Sequence, residues 1–545
     1  MYVSEGLGKK VFAREATGLI RRLGFFDQFI ISISIVNITG GYVFTMIAAP
    51  YFFPGANMIA VFILGAIPAF AFVVTYSIFS ASMPRSGGDY VWSGRILGPR
   101  FASVLAVIML IAGSIYGPAF NFWLVDAFGL AQLFLAWGLV TGNASLVSLG
   151  TTISTPPWGY IISLLVIVVV LLIGLFGTEV YRKMNRYSFA FYTITAILFL
   201  AGILSINTAT YNASFDAAMS SFNVTHSQVQ GAITANPQLV GFSLPSTILA
   251  IVPLGFLTYS GFNFNTYLSG ETKDVSNTMP KALLLATLVT LVALAIITYF
   301  VSATLGANFV SGISYLYNTG ALSSVPVEPT INFLVALGLP AWLGVVINLN
   351  IAFGFFFVAL SYTMTFSRIL FAMAFDRLVP SRIADVNDKF GSPHYALIVI
   401  GIISFVFTTT WWYAGLVFGY FNGTFALDVG YLIPGLAALL FPFIKKDLYD
   451  RTVNSLGGWF KLKIAGLPLL SIGGLAILLI WGFGLYSLLN PTISYTYLGS
   501  ALPFALGTTF TLIIVGLIIF EVSRRYHLKK DEFDIGLAYK EIPPE

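Results

Sequence analysis

Long apolar stretches alternate with short polar segments along almost the whole chain. Twelve of the stretches are long enough to cross a membrane, because a spanning helix needs about 20 apolar residues. In chain order, these predicted spans 1 to 12 are 25–51, 57–82, 100–137, 158–177, 187–207, 244–270, 281–305, 340–376, 394–412, 425–444, 465–489 and 500–523. The pattern predicts an all-α polytopic membrane protein with twelve transmembrane helices.

Polar residues and glycines interrupt two of the spans. The interruption in span 1 consists of Asn37, Thr39, Gly40 and Gly41. The interruption in span 6 runs from Pro253 to Asn265 and contains three helix-breaking residues among hydroxyl and amide side chains. Irregular backbone at membrane depth is tolerated where it is buried in protein or lines a cavity. Transporters form substrate sites at such breaks, so we expect spans 1 and 6 to surround a central site.

The two interrupted spans are five apart, which indicates an inverted repeat of five helices followed by two more. An odd separation makes the two halves cross the membrane in opposite directions. The predicted divisions are a cytoplasmic N-terminal segment 1–24, a first repeat 25–207, an extracellular loop 208–243, a second repeat 244–444, spans 11 and 12 in 445–523, and a cytoplasmic tail 524–545.

The charge pattern supports the even number of spans. Only 9% of the residues are charged and 57% are hydrophobic, whereas soluble domains carry about 25% charged residues. Lys and Arg occur in alternate loops, and the segments 208–243 and 306–330 contain none. Because cytoplasmic loops of membrane proteins are enriched in Lys and Arg, both termini are predicted to be cytoplasmic, in a multi-pass protein of the cell (plasma) membrane.

Several loop motifs resemble those of a known family. They are Pro84–Tyr90 (PRSGGDY), Arg95–Pro99 (RILGP), Tyr259–Phe262 (YSGF), Gly270–Lys273 (GETK), Ser367–Met373 (SRILFAM) and Gly391–Pro393 (GSP). In order and spacing they are similar to the signature loops of amino acid permeases of the amino acid–polyamine–organocation (APC) superfamily, over the first ten spans. The resemblance implies a leucine-transporter-type fold, with a 5+5 inverted repeat plus two C-terminal helices, and alternating access.

The resemblance also implies a substrate site at the two breaks. The substrate carboxylate would meet backbone N–H groups near Thr39, Gly40 and Gly41, and its ammonium would meet carbonyls between Phe256 and Ser260. The implied substrate-binding residues are Asn37, Thr39, Gly40, Gly41, Phe256, Tyr259, Ser260, Gly261 and Asn263. The aromatic residues of this set, together with Phe262, could form a gate or a cation–π surface. Plain packing is the alternative in a chain with 50 Phe and 27 Tyr.

Departures from the family pattern leave the coupling ion, H+ or Na+, open. Asn263 stands where the family often has an acid, and Tyr192 lies near the position of a lysine found in some proton-coupled members. Coupling through that lysine is therefore disfavoured. Ser361 and Thr365 in span 8 are four residues apart and share a helix face, so they are candidate sodium ligands. The alternative is that both hydroxyls bond back to their own helix.

Two acids lie within spans and away from the predicted membrane interfaces. Asp126 in span 3 and Asp428 in span 10 could carry a proton or contact a ligand amine. The alternative for each is a hydrated carboxylate near the outer end. Five further acids at cytoplasmic helix ends should pair with Arg or Lys: Asp27, Glu179, Glu271, Asp376 and Glu521. Two candidate latches of the inner gate are Glu271 with Lys273 and Asp89 with Arg85.

The residues present do not suit an enzyme. The chain has no cysteine, its three histidines lie far apart in the sequence, and it has no glycine-rich phosphate loop. We therefore expect a secondary transporter that needs no cofactor or metal, lies in a lipid bilayer and binds an amino acid as its small-molecule substrate, without a nucleic-acid partner. The breaks contain no acid, which favours a neutral substrate. The alternatives are a polyamine or organic-cation permease or exchanger, and a non-transporting sensor or channel. The pattern does not distinguish a monomer from a homo-oligomer.

Overall fold

A computed structural model describes residues 18–490 and 498–540 of the chain, with only the backbone described for 415–424 and for residue 500. Within this part, twelve helices are long and apolar enough to cross a membrane. They are Phe25–Phe52, Met58–Ser82, Pro99–Thr141, Trp158–Leu175, Thr178–Ser205, Leu244–Tyr267, Val275–Asn318, Ala341–Phe375, His394–Ala414, Phe425–Ile444, Leu469–Leu488 and Leu502–Lys530. The predicted fold class, an all-α polytopic membrane protein, is confirmed.

Several boundaries differ from the predicted ones. Span 5 begins at Thr178 rather than at 187, because its cationic first turns remain helical and pair with nearby acids. Span 7 continues beyond a π-helical turn, Ser302–Gly306, to Asn318. Spans 9 and 10 lie within one continuous helical run, His394–Ile444. Span 3 contains π-helical turns at Ile115–Ala119 and Val125–Leu130, a feature that is common near functional sites.

Shorter elements connect the spans. The α-helices among them are Asp89–Ile96, Ala144–Ile153, Thr208–Met219, His226–Ala235, Ile331–Ala336 and Lys446–Leu456. The 3₁₀ turns are Ser220–Phe222, Pro237–Leu239, Ser381–Ala384, Gly458–Lys461, Gly499–Ala501 and Ile535–Tyr539. Two strands, Lys463–Ile464 and Leu467–Pro468, pair in an antiparallel hairpin. The loop predicted at 208–243 is therefore largely helical.

Spans 1 and 6 are both interrupted near their middle. Span 1 consists of Phe25–Val36 and Ile38–Phe52, separated by Asn37 in a left-handed conformation (φ 45°). Span 6 begins as the α-helix Leu244–Ala250, becomes π-helical over Ile251–Phe256, and ends in the 3₁₀ turns Leu257–Tyr259, Phe262–Tyr267 and Ser269–Glu271. The predicted interruptions are present, although Gly40 and Gly41 are helical and the break in span 1 is at Asn37.

Ion pairs concentrate at one end of the molecule, which we call the basic face and define by the loops 83–98, 271–274 and 376–393 together with the helix ends beside them. All five acids predicted to pair with Arg or Lys do so: Asp27 with Arg186 (2.7 Å), Glu179 with Arg182 (2.6 Å), Glu271 with Arg368 (2.8 Å), Asp376 with Arg95 (2.8 Å) and Glu521 with Arg100 (2.6 Å).

The two predicted latches have other partners. Glu271 pairs with Arg368 instead of Lys273, because the guanidinium is fully buried beside the carboxylate. Asp89 accepts hydrogen bonds from the hydroxyls of Tyr76 (3.0 Å) and Tyr267 (2.9 Å), rather than pairing with Arg85.

Candidate functional site

Three backbone N–H groups that follow the break in span 1, those of Thr39, Gly40 and Gly41, are hydrogen-bonded. Asn37 caps the second half of the span, and its side-chain oxygen accepts from the N–H of Gly40 (3.3 Å). The N–H of Gly41 donates to the carbonyl of Asn37 (3.0 Å). The N–H of Thr39 donates to the hydroxyl of Tyr192 (2.7 Å). The three N–H groups assigned to a substrate carboxylate are thus occupied in this conformation.

Tyr192 belongs to a neutral network that ties the break to spans 5 and 8. Its hydroxyl also bonds to the hydroxyl of Thr39 (2.5 Å), which in turn donates to the side-chain oxygen of Asn350 (3.1 Å). The amide of Asn350 donates to the hydroxyl of Thr195. In this part of span 5, a phenol bonds to the break of span 1.

Gly40 and Gly41 allow spans 1, 6 and 8 to approach one another closely. A Cβ atom at Gly40 would lie 2.4 Å from the side-chain nitrogen of Asn37 and 2.8 Å from the ring of Phe355. A Cβ atom at Gly41 would lie 3.3 Å from the methyl group of Thr258 in span 6. The glycines therefore leave room for Phe355 of span 8 and Thr258 of span 6, rather than unwinding the helix.

The break in span 6 occurs at Ser260 and Gly261. Ser260 is extended (ψ 150°) and Gly261 has a positive φ of 96°. The N–H and hydroxyl of Ser260 both donate to the carbonyl of Leu257, at 3.0 and 2.7 Å. A Cβ atom at Gly261 would lie 2.8 Å from Ile35 and 2.9 Å from the hydroxyl of Tyr362. This glycine provides both the backbone conformation and the space that the break needs.

A cavity of about 640 Å³, which we call the central cavity, lies between the two breaks and spans 3 and 8. It is lined by Ile35, Val36, Asn37, Gly40, Gly41, Phe44, Tyr116, Phe120, Asn121, Leu124, Leu257, Thr258, Ser260, Phe355, Val358 and Tyr362. The wall is mostly apolar and aromatic, with amide and hydroxyl groups near the breaks. Among the described residues, no Asp, Glu, Lys, Arg or His lines it.

Four of the nine implied substrate-binding residues lie on this wall: Asn37, Gly40, Gly41 and Ser260. Thr39, Phe256, Tyr259, Gly261 and Asn263 do not. Tyr259 is fully buried and donates to the carbonyl of Phe62 (2.9 Å), so its ring packs against span 2 in this conformation. Asn263 is also buried, with 2% of its surface exposed.

Most of the aromatic wall of the central cavity was not predicted from the sequence. Tyr116 and Phe120 come from span 3, and Phe355 and Tyr362 from span 8. These residues stand in continuous apolar runs, where an aromatic residue at a cavity has the same pattern as one in the core. The Gly117-Pro118 pair, inside the π-helical turn of span 3, is the one local signal that could have indicated an irregular, functional segment in this span.

A second cavity, which we call the side cavity, adjoins the first and has a volume of about 910 Å³. It lies between spans 3, 6, 8, 10 and 11, and Phe256 and Gly261 are part of its wall. The two cavities share Tyr116, Leu257, Ser260 and Tyr362. Asp428 is also part of the wall of the side cavity. From the sequence, this residue was expected either to act on a proton or a ligand or to be a hydrated carboxylate near the outer end.

The candidate coupling residues lie away from the central cavity. The hydroxyl of Ser361 accepts from Tyr181 (3.0 Å), and that of Thr365 donates to the carbonyl of Ser361 in its own helix (2.9 Å). Asp126 lies in the second π-helical turn of span 3 and is fully buried. Neither carboxylate oxygen of Asp126 has a hydrogen-bond partner within the described part of the chain.

Comparison with known proteins decides the family. The sequence model of one family, described as amino acid permease, matches residues 23–520. The chain belongs to the amino acid permease family. This permease is 23% identical, over 71% of its length and 73% of the relative's, to an uncharacterised transporter of Mycobacterium tuberculosis. The chain is an amino acid transporter embedded in a membrane, and it is not an enzyme.

Two relatives of the permease have more specific names. It is 21% identical to a branched-chain amino acid permease of Bacillus subtilis, over 71% of this chain and 74% of the relative. It is 26% identical to a branched-chain amino acid permease of Lactococcus lactis, over 66% of this chain and 68% of the relative.

Proposed function

We propose that the permease moves neutral, apolar amino acids across the plasma membrane by alternating access, with both termini in the cytoplasm. The observation that carries this proposal is the wall of the central cavity, which within the described residues has neutral polar groups, at the breaks and at Asn121 of span 3, among apolar and aromatic side chains. A charged substrate side chain would lose its hydration there without gaining a counter-charge. The names of the two branched-chain permeases point in the same direction.

The two breaks supply complementary polar groups for the invariant part of an amino acid. At the break of span 1, the N–H of Gly40 is held by the side chain of Asn37 at a long 3.3 Å. A substrate carboxylate takes over this donor when Asn37 turns away, and the positive end of the following half-helix favours the anion. Ser260, at the other break, lines the same cavity. The substrate side chain then packs against Phe44, Phe120 and Phe355.

Counterflow in proteoliposomes tests the proposed function. Vesicles loaded with unlabelled leucine should accumulate labelled leucine transiently, and isoleucine and valine inside should support the same exchange. Lysine, glutamate and spermidine inside should support little exchange. Exchange driven by spermidine but not by leucine would establish the polyamine alternative. A channel or a sensor would show no trans-stimulated uptake with any of these compounds.

A glycine substitution tests whether the break of span 1 binds the substrate. Gly40→Val places a branched side chain against Asn37 and Phe355, so leucine exchange should be abolished while the protein remains in the membrane. The matched control is Gly507→Val in span 12, where an added Cβ atom meets nothing within 4 Å. Wild-type exchange in the Gly40 variant would refute the proposed site.

A further inference from the structure

The side cavity contains a buried carboxylate that lacks a partner. Asp428 is 3% exposed and is part of the wall of this cavity. Within the described part of the chain, its carboxylate has neither a hydrogen bond nor an ion pair. An unpaired buried acid is costly to keep in a protein interior. This cost is relieved when a cationic or hydrogen-bond-donating group enters the cavity.

The rest of the wall suits the apolar body of such a ligand. Tyr431 and Trp481 stack at 4.5 Å with an angle of 2° between their rings, and Phe256 meets Trp481 edge to face at 5.9 Å. Phe264 and Phe366, which meet edge to face at 5.3 Å, are also on the wall. Asp428 is the sole Asp, Glu, Lys, Arg or His among the described lining residues. Aromatic faces attract cations and pack against flat or apolar groups.

We propose that the side cavity is a binding site for an organic ammonium ion with an aromatic or apolar body. Asp428 pairs with the ammonium group, and the rings around Tyr431 and Trp481 enclose the body. This site lies outside the central cavity, so it goes beyond the proposed transport of neutral amino acids and does not depend on it. Linear diamines also carry ammonium groups, but they lack the aromatic or apolar body that the rings would enclose. They are therefore the ligands against which the proposal is compared.

The space beside the carboxylate is kept open by Gly484 in span 11. A Cβ atom at this position would lie 3.0 Å from the carboxylate oxygen of Asp428. The charge of the site and the space beside it can therefore be altered separately by small substitutions. Asp428→Asn removes the charge at constant size, whereas Gly484→Ala keeps the charge and reduces the space beside it.

An occupant of the side cavity would contact the break in span 6. Ser260 and Leu257, which lie at that break, belong to both cavities, as do Tyr116 and Tyr362. Alternating access requires the interrupted helices to move. An amine in the side cavity should therefore restrain span 6 and inhibit leucine exchange without occupying the central cavity.

Thermal unfolding of the purified full-length protein, without amino acid, tests the site. Phenethylamine should raise the Tm in a saturable way, whereas 2-phenylethanol, its uncharged analogue, should not at the same concentrations. In Asp428→Asn the Kd for phenethylamine should rise about tenfold or more, as expected for the loss of one partner of a buried charge pair. In Gly484→Ala the Kd should rise severalfold.

The control is Asp126→Asn, which removes the other buried intramembrane acid and leaves the wall of the side cavity unchanged. It should bind phenethylamine with wild-type affinity. Equal stabilisation by 2-phenylethanol, an unchanged Kd in Asp428→Asn, or stabilisation by 1,5-diaminopentane alone would overturn the proposal. If Asp428→Asn fails to fold, Gly484→Ala decides, and an unchanged Kd there counts against the site. Leucine counterflow is measured separately, so the two proposals can fail independently.

Discussion

The two ends of the permease are closed by different kinds of contact. At the basic face, Arg368 pairs with Glu271 and Arg95 pairs with Asp376, and all four side chains are at most 4% exposed. At the opposite face, which we define by residues 208–243 and 307–340, the described side chains form no ion pair, and the contacts are hydrogen bonds and apolar packing. There the side-chain amide of Asn318 donates to the carbonyl of Ile47 (3.0 Å).

The difference predicts which end is harder to open. Separating a buried ion pair, or removing one of its members, leaves a charge in a poorly solvated place and costs far more than losing a neutral hydrogen bond. The basic face should therefore stay closed at rest, and the opposite face should open at lower cost. The proposed cytoplasmic position of the basic face rests on the same arginines, so one set of charges would serve both topology and gating.

The largest effect is expected from Arg368→Gln. The substitution leaves the carboxylate of Glu271 buried, with the hydroxyl of Thr178 as its remaining side-chain donor, and should destabilise the closed basic face by about 3–5 kcal/mol. The chain has no cysteine, so a single Ser269→Cys probe beneath this face reports opening through its rate of thiol labelling. The rate should rise at least about a hundredfold.

The double variant Arg368→Gln/Glu271→Gln is the control for this experiment. It removes both charges, so it should restore much of the slow labelling. Labelling as fast in the double variant as in the single one would show that the guanidinium acts through packing rather than through its charge.

The second prediction concerns Asp89, which lies between spans 2 and 3 at the basic face. Burial raises the pKa of this carboxyl to about 7, although hydrogen bonds from Tyr267 and Tyr76 favour the charged form. The folded protein then binds a proton between about pH 4 and pH 7 that the unfolded chain has lost, so stability falls as pH rises through this window.

Between pH 5 and pH 8 this loss should be on the order of 2–3 kcal/mol. Asp89→Asn should reduce the difference in Tm between these two pH values, measured on the purified protein. An identical difference in Asp89→Asn and the wild type would show that other groups account for the pH dependence.

At the opposite face the expected effect is smaller. The hydroxyl of Thr330 donates to the side-chain oxygen of Gln132 (2.6 Å) and caps the helix Ile331–Ala336. Thr330→Val removes both neutral contacts and should cost about 1–2 kcal/mol, seen as a modest fall in Tm. A fall as large as that of Arg368→Gln would contradict the proposed difference between the two faces.

The features that could be predicted from the sequence are those carried by local properties. Hydropathy over some 20 residues and the alternation of basic loops predicted the twelve spans and the pairing of all five acids with Arg or Lys. The start of span 5 was placed too late, because Arg182 and Arg186 appeared too polar for a helix. Their ion pairs with Glu179 and Asp27 form only once spans 1 and 5 pack together.

The candidate site was also only partly predictable, because many of its contacts join residues that are far apart in the sequence. The interruptions at Asn37 and Gly261 are visible as polar and glycine residues within apolar runs. The contact between Thr39 and Tyr192 joins residues 153 positions apart, and Phe355 reaches the central cavity from span 8. No local pattern indicates which side of a uniformly apolar helix faces a cavity, so the aromatic wall and the exposure of Asp428 to the side cavity required the packed structure.

The smallest effect is expected from an ion pair that lies at the basic face but is not buried. Arg100 donates to Glu521 at 2.6 Å, and the two side chains are 63% and 33% exposed. Solvent and salt screen such a pair, so Arg100→Gln should change stability by roughly 0–1 kcal/mol and leave the labelling rate of Ser269→Cys nearly unchanged. Both arginines contact a carboxylate at similar distance and differ mainly in burial. A rise in labelling rate in Arg100→Gln as large as the one expected for Arg368→Gln would contradict this difference. It would show that the total charge at the basic face keeps this end closed, rather than the buried pair between spans 6 and 8.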